Sequence, residues 1–385
     1  MRYEVDHVEI RDAITKLCEA FDGSYWRDCD SASRYPSEFV NALTKGGYLS
    51  ALIPEEFGGL GLPLSAGAAI LEEIHHSGGN AAACHAQMYT MGTVLRHGSQ
   101  AQKQKYLPKI ASGELRLQAF GVTEPTSGTD TTNLRTTARK EGGAYVVNGQ
   151  KIWTSRAEHS DLMLLLARTT PKEQASKKTD GLSVFLVDMR EVRGTSLTIR
   201  PIKTMMNHAT TEVFFDNMII PEDALVGEEG QGFRYILSGM NAERLLIAAE
   251  CIGDAKWFIE KATNYAAERN VFKRPIGQNQ GVQFPIARAY ANMRAAELMV
   301  REGLRLYEAG GTSGEEANLA KLLAADASWE AAEACLQTHG GFGFAQEYDV
   351  ERKYREARLY QVAPISTNLI LSYIAEHVLG MARSY

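Results

Sequence analysis

The stretch AYVVNGQKIWTS, residues 144–155, decides how the chain divides. Its β-branched and aromatic residues run at strand length behind the turn-forming pair Gly142-Gly143, and a second pair, Asn148-Gly149, reads as a turn inside it. Outward from it the same texture continues in DLMLLLART (161–169), GLSVFLVDM (181–189) and TEVFFDNMII (211–220), which makes residues 117–228 a β domain. Residues 1–116 have the three-and-four apolar spacing of helices, in VEIRDAITKLCEAF (8–21), PSEFVNALTKGGYL (36–49), SAGAAILEEIHHSG (65–78) and NAAACHAQMYTMGTVLRHG (80–98). Helical spacing returns over 229–385, in 233–269, 283–309, 315–337 and a last helix after Pro364. The expected fold class is therefore multidomain α+β: an N-terminal α-helical bundle, a middle β domain and a C-terminal helical bundle. A Rossmann-type nucleotide enzyme would alternate strand and helix, and no GxGxxG opens a βα unit.

The 385 residues are 44% hydrophobic and 23% charged, which is ordinary globular composition. A net charge of −6, with no basic cluster interleaved with aromatics, argues against nucleic acid as a partner. Five cysteines in no metal-like spacing read as reduced thiols. The N-terminus lacks a secretory core and the acid-poor look of a transit peptide, and no apolar run approaches the ~18 residues of a membrane span. The expected location is cytoplasmic, without membrane insertion.

A carboxylate in YILSGMNAERLLIAAECIG (235–253) poses the functional question. At about 100° per residue, Ile236, Met240 and Ile247 share a helix face, and Glu243 falls inside it. A charge on an apolar stripe costs several kcal/mol unless it is paired, protonated or used, roughly speaking. Glu250, two turns later on nearly the same face, is the rival carboxylate. His75-His76 beside Gly78-Gly79 reads as helix C-terminal capping rather than a metal site. His339 adjoins a glycine pair and could touch phosphate, PKEQASKKTDG (171–181) reads as a solvated loop, and no metal centre is expected.

Two motifs are more specific. GVTEPTSGTD (121–130) is glycine- and hydroxyl-rich at the entry to the β domain, and QTHGGFGFAQEYDVERKYRE (337–356) places Gly340-Gly341 between two helices. Together they resemble the two signatures of the acyl-CoA dehydrogenase family, the first departing only where Asn133 replaces a small residue. NGQKIWTS (148–155) and AAERNVFKRPIGQNQ (266–280) extend the resemblance over nearly the whole chain. It implies that the C-terminal bundle has four helices and that FAD lies between it and the β domain. Phe120, Val122, Thr123, Gly128, Thr129, Trp153 and Ser155 would stand near the flavin, with Ser366 and Asn368 as further polar contacts. A neighbouring subunit would supply Arg269, Phe272, Gln280, Gln337, Gly340 and Gly341, so a homotetramer, a dimer of dimers, is implied.

The resemblance implies α,β-dehydrogenation of an acyl-CoA to a trans-2-enoyl-CoA, with electrons passing to electron-transfer flavoprotein. Such chemistry needs a base for the α proton, a hydride acceptor and donors to the thioester oxygen. The family commonly takes its base from a Tyr-Glu-Gly-Thr stretch; the matching stretch here is YQVAPISTNLIL (360–371), with Pro364 at the glutamate position. In the isovaleryl-type and long-chain branches the base sits on an earlier helix, just before an arginine, as Glu243 and Arg244 do here. Glu243 is thus the implied base, Asn241, Arg244 and Thr129 the implied substrate contacts, and a main-chain N–H near Pro364 the implied donor to the thioester oxygen. Two alternatives stay open: another reaction on acyl-CoA (a desulfinase or an oxidase), and a non-catalytic flavin-binding interaction protein. The acyl group itself is not readable.

Overall fold

The computed structural model describes residues 6–311 and 313–383. The first five residues of the N-terminal stretch read above, and the last two of the C-terminal block, lie outside them. Helices α1 (Val8–Cys18), α2 (Gly23–Ser31), α3 (Ser37–Lys45), α4 (Leu64–His76), α5 (Ala86–His97) and α6 (Gln100–Ser112) come first. Strands β1 (Leu117–Gly121), β2 (Thr137–Glu141), β3 (Ala144–Ser155), β4 (Leu162–Arg168), β5 (Leu182–Asp188), β6 (Leu197–Pro201), β7 (Thr210–Pro221) and β8 (Leu225–Val226) follow. Helix α7 (Gly232–Glu268), a short ribbon of β9 (Asn270–Val271) and β10 (Arg274–Pro275), and helices α8 (Gln280–Glu308), α9 (Gly314–His339), α10 (Val350–Arg358) and α11 (Thr367–Tyr373) complete the chain. The order is helical, then β, then helical, as the texture of the sequence predicts.

The chain packs as two compact units. The sheet unit, residues 35–62 and 82–240, holds all strands from β1 to β8 in the order β6-β7-β3-β2-β4-β5-β8, with β1 beside β4. Strands β4 and β5 are buried along almost their whole length, so they read as continuous apolar runs rather than alternating ones. Around them Tyr145, Val147, Phe185, Val213 and Phe215 form one core. Asn148-Gly149 is not a turn: β3 runs through it, with a register shift against β7. Gly149 has φ 147°, and a Cβ there would stand 2.6 Å from Thr136 Oγ1, so glycine serves a bulge.

The helical unit, residues 1–34, 63–81 and 241–385, is built on α4, α7, α8 and α9. Its helices pack closely: at Gly253 of α7 a Cβ would lie 2.1 Å from the Glu72 carbonyl oxygen of α4. Lys256 is buried between Glu72 and Glu297 and bonds to both. All five cysteines are buried and unbridged. Among the described residues no helix is long and apolar enough to cross a membrane.

Candidate active site

In the helical unit, Glu243 is buried on α7 at 5% exposure, where the apolar stripe places it. Its neighbour Arg244 donates from Nη1 to Asn241 Oδ1 at 2.8 Å, and Arg244 Nε is buried without an acceptor. Burial lowers the pKa of the Arg244 guanidinium, with the charge of Glu243 acting against the shift. Glu250 is fully buried, accepts from Tyr360 Oη at 3.1 Å and has His75 Nε2 at 3.8 Å. The rival carboxylate therefore belongs to a structural network.

That network corrects the reading of His75-His76 as caps. Ser77 closes α4, and the fully buried His75 ring places Nδ1 2.9 Å from Asp254 Oδ1 while Nε2 accepts from the Ala81 N–H at 3.0 Å. Because Nε2 accepts, Nδ1 carries the hydrogen and donates to Asp254. Lys353 closes the network by bonding to Asp254 and to the Gly79 carbonyl. His76 bonds instead to Glu260 at 3.1 Å and approaches Glu73 at 3.5 Å. Close packing of α4 on α7 supplies Asp254, Glu250 and Glu260, which one-dimensional spacing cannot show, while Glu73 is one turn back on α4 itself.

Lys321 of α9 holds the loop near Pro364 and carries no signal in the sequence beyond being a lone lysine in an apolar run. It is fully buried, and its Nζ donates to the Tyr360 carbonyl and, at 2.7 Å, to the Ile365 carbonyl, bracketing the loop that carries Pro364. Burial lowers its pKa, against opposing charges that include Glu243. Beyond the loop, Ser366 caps α11 by accepting from the Leu369 N–H at 3.3 Å, which leaves its hydroxyl hydrogen to donate elsewhere; Asn368 is exposed.

The residues expected to grip the far end of FAD also lie in this unit. Arg269, Phe272 and Gln280 follow one another along the β9–β10 ribbon and the first turn of α8, all exposed, with Phe272 at 94% and φ 52°. Gln337, Gly340 and Gly341 end α9, and Arg269 joins the two groups by lying 5.4 Å over the Phe342 ring. Gly340 has φ 56°, and nothing stands within 4 Å of a Cβ built at Gly340 or Gly341, so the main chain there is open to a phosphate. His339 is turned away from that role: its Nδ1 is 2.8 Å from the Cys335 carbonyl and its ring stacks 4.1 Å from Tyr265.

The sheet unit carries the flavin-side residues. The loop after β1 is pinned by a buried pair, Glu124 Oε1 to Lys151 Nζ at 2.8 Å, with Glu124 also accepting the Arg135 and Thr136 N–H groups. Burial pulls Lys151 down to about 8; burial pushes the Glu124 carboxyl up, but Lys151 and these donors outweigh it and hold it below its usual range. The Ile152 N–H ties β3 to the Thr123 carbonyl at 2.9 Å, which brings Val122 and Thr123 alongside Trp153. Gly128 and Thr129 are exposed. Trp153 is 56% exposed with φ 60°, and Ser155 Oγ is 3.3 Å from Thr210 Oγ1. An exposed indole beside a hydroxyl group is a surface that an aromatic, polar-edged ring system covers well, so these residues fit a flavin. Among the described residues no group of three or more His, Cys, Asp or Glu could hold a metal ion.

Comparison with known proteins finds relatives over nearly the whole chain. Residues 4–114, 119–218 and 230–379 match the family descriptions "Acyl-CoA dehydrogenase, N-terminal domain", "middle domain" and "C-terminal domain". An acyl-CoA dehydrogenase of Bacillus subtilis (strain 168) is 33% identical over 91% of this chain and 92% of its own. The glutaryl-CoA dehydrogenase of Desulfococcus multivorans is 32% identical over 98% and 96%. Among solved structures, a glutaryl-coenzyme A dehydrogenase in complex with glutaryl-CoA superposes with a TM-score of 0.91 at 28% identity, covering 100% of this chain and 98% of that one.

Proposed function

Because this chain belongs to the acyl-CoA dehydrogenase family, we propose that it converts an acyl-CoA to its trans-2-enoyl-CoA with Glu243 as the base. The cofactor of the family is FAD. When bound, FAD supplies the two-electron acceptor for the hydride leaving C3. Glu243 takes the C2 proton, and a main-chain N–H of the loop around Pro364, held in place by Lys321, donates to the thioester oxygen so that charge building there is tolerated. Asn241 and Arg244 face the CoA portion and Thr129 the acyl thioester. The nine flavin-side positions and the six of the neighbouring subunit hold FAD in a homotetramer that works in the cytoplasm and passes electrons to electron-transfer flavoprotein.

The observation that carries this reading is the buried carboxylate of Glu243 on α7, beside Arg244. Glu243 is buried on the apolar face two turns before Glu250, which is committed to Tyr360, while Pro364 removes the usual base. Anaerobic mixing of the holoenzyme with a panel of acyl-CoAs tests it. Flavin bleaching with enoyl-CoA as product is expected; product without net flavin reduction, or no change with any thioester, would overturn it.

A further inference from the structure

Lys151 brings a positive charge into the core of the sheet unit. It is fully buried on β3, and its stem runs past Gly121 at the end of β1, where a Cβ would stand 3.6 Å from its Cγ. Its Nζ reaches two acceptors of the loop that follows, Glu124 Oε1 at 2.8 Å and the Val122 carbonyl at 3.0 Å. Glu124 alone would balance the charge, so the bond to Val122 has a separate consequence. In a trans peptide the C=O and N–H point in opposite directions, and Val122–Thr123 is trans, so holding the Val122 carbonyl toward Lys151 aims the Thr123 N–H away from it. Thr123 is fixed from its other side as well, because its carbonyl accepts from the Ile152 N–H at 2.9 Å. That N–H lies where β3 shifts register against β7, between Lys151 and Thr154, and where Trp153 takes φ 60°.

Val122 and Thr123 are half-buried, and among the described residues no backbone acceptor meets the Thr123 N–H. The loop thus presents a rigid donor beside the exposed indole, inside one unit. An ammonium on a carbonyl also polarises the whole peptide and makes its N–H a stronger donor. The charge that does this is titratable: burial pulls the Lys151 pKa down to about 8, with Glu124 acting against the shift. Among the described residues Glu124 is the charge that acts on Lys151, while Arg168 of β4, which donates to the Thr132 carbonyl at 2.7 Å, interacts with Glu124 in turn.

We propose that Lys151 is a positioning residue of the flavin site, which aims and strengthens the Thr123 N–H as a donor to the bound flavin and so raises the flavin's midpoint potential. This rests on the reading of Val122 and Thr123 as flavin contacts and goes beyond it, since Lys151 acts through their shared peptide. A stronger donor favours the reduced flavin, which is the more electron-rich state. By the same coupling, reduction holds the Lys151 proton more tightly, so the potential falls more steeply with pH once the oxidised enzyme begins to lose that proton. The test measures the two-electron midpoint potential of the FAD-loaded enzyme against a reference dye, without thioester, between about pH 6 and 10. Lys151→Met should lower the potential at neutral pH and weaken FAD binding roughly tenfold or more. Lys151→Arg, which stays charged, should keep the neutral-pH potential near that of the wild type and lose the extra steepness that the wild type shows above about pH 8. A potential unmoved in Lys151→Met, even with weaker FAD binding, means that Lys151 only holds the loop and overturns the proposal. Parallel wild-type and Lys151→Arg profiles also overturn it, and this comparison decides alone if Lys151→Met does not fold. Because no thioester is present, the result stands apart from the dehydrogenation reading: shifted potentials in an enzyme that no acyl-CoA bleaches sink that reading alone, whereas bleaching with parallel profiles sinks the role of Lys151 alone.

Discussion

Glu243 and Glu250 lie on nearly one line of α7, both buried. Helical spacing alone placed both in the apolar face, and only the resemblance separated them; the Tyr360 hydroxyl now supplies a physical distinction. His75 and His76 show the opposite case, because Asp254 and Glu260 come from α7 and the sequence brings no hint of them, although Glu73 lies one turn before His76 on α4. Burial acts to lower the pKa of His76, but Glu260 and Glu73 outweigh it and raise the imidazole to about 9. Its folded pKa thus exceeds the ordinary 6.5, so its contribution to stability is complete below about pH 6.5 and fades as pH rises through about 9. Comparing urea midpoints of the wild type and His76→Gln across this window should give a gap that is widest near pH 6 and shrinks by pH 9.5. A gap that does not change with pH would show that the charged pairs contribute nothing.

Among the elements, β3, β4, β5 and β7 were legible because strand-length apolar runs end in turn residues, and α7 because its apolar spacing is long. Helices α2 and α6 and strand β6 carry no such pattern; α6 is polar and contains Pro108, and its visible mark is the Ser99–Gln102 capping box. The Gly149 bulge was illegible for a different reason, since Asn-Gly favours a turn and the pairing of β3 with β7 overrides it. In the loop from Tyr360 to Ile365 the Tyr360 and Ile365 carbonyls both accept from Lys321 of α9. Replacing Lys321 by Met leaves two buried carbonyls without donors and should cost roughly 2–4 kcal/mol, read as a lower urea midpoint. An unchanged midpoint would mean that the loop finds other donors.

For the molecule as a whole, the order helical, β, helical was visible in texture, while the flavin and the shared site came from matched motifs. Sequence patterns report which residues are buried far better than which buried groups lack partners. The central claim is that the base is Glu243, displaced from the position that Pro364 occupies. Its most direct test is solvent exchange of the C2 hydrogen of an acyl-CoA bound to the holoenzyme, followed by mass spectrometry in deuterated buffer under anaerobic conditions. Glu243→Gln is predicted to keep FAD and bind the thioester while exchange falls by about a hundredfold or more, with Glu250→Gln still exchanging; wild-type exchange in Glu243→Gln would contradict the account.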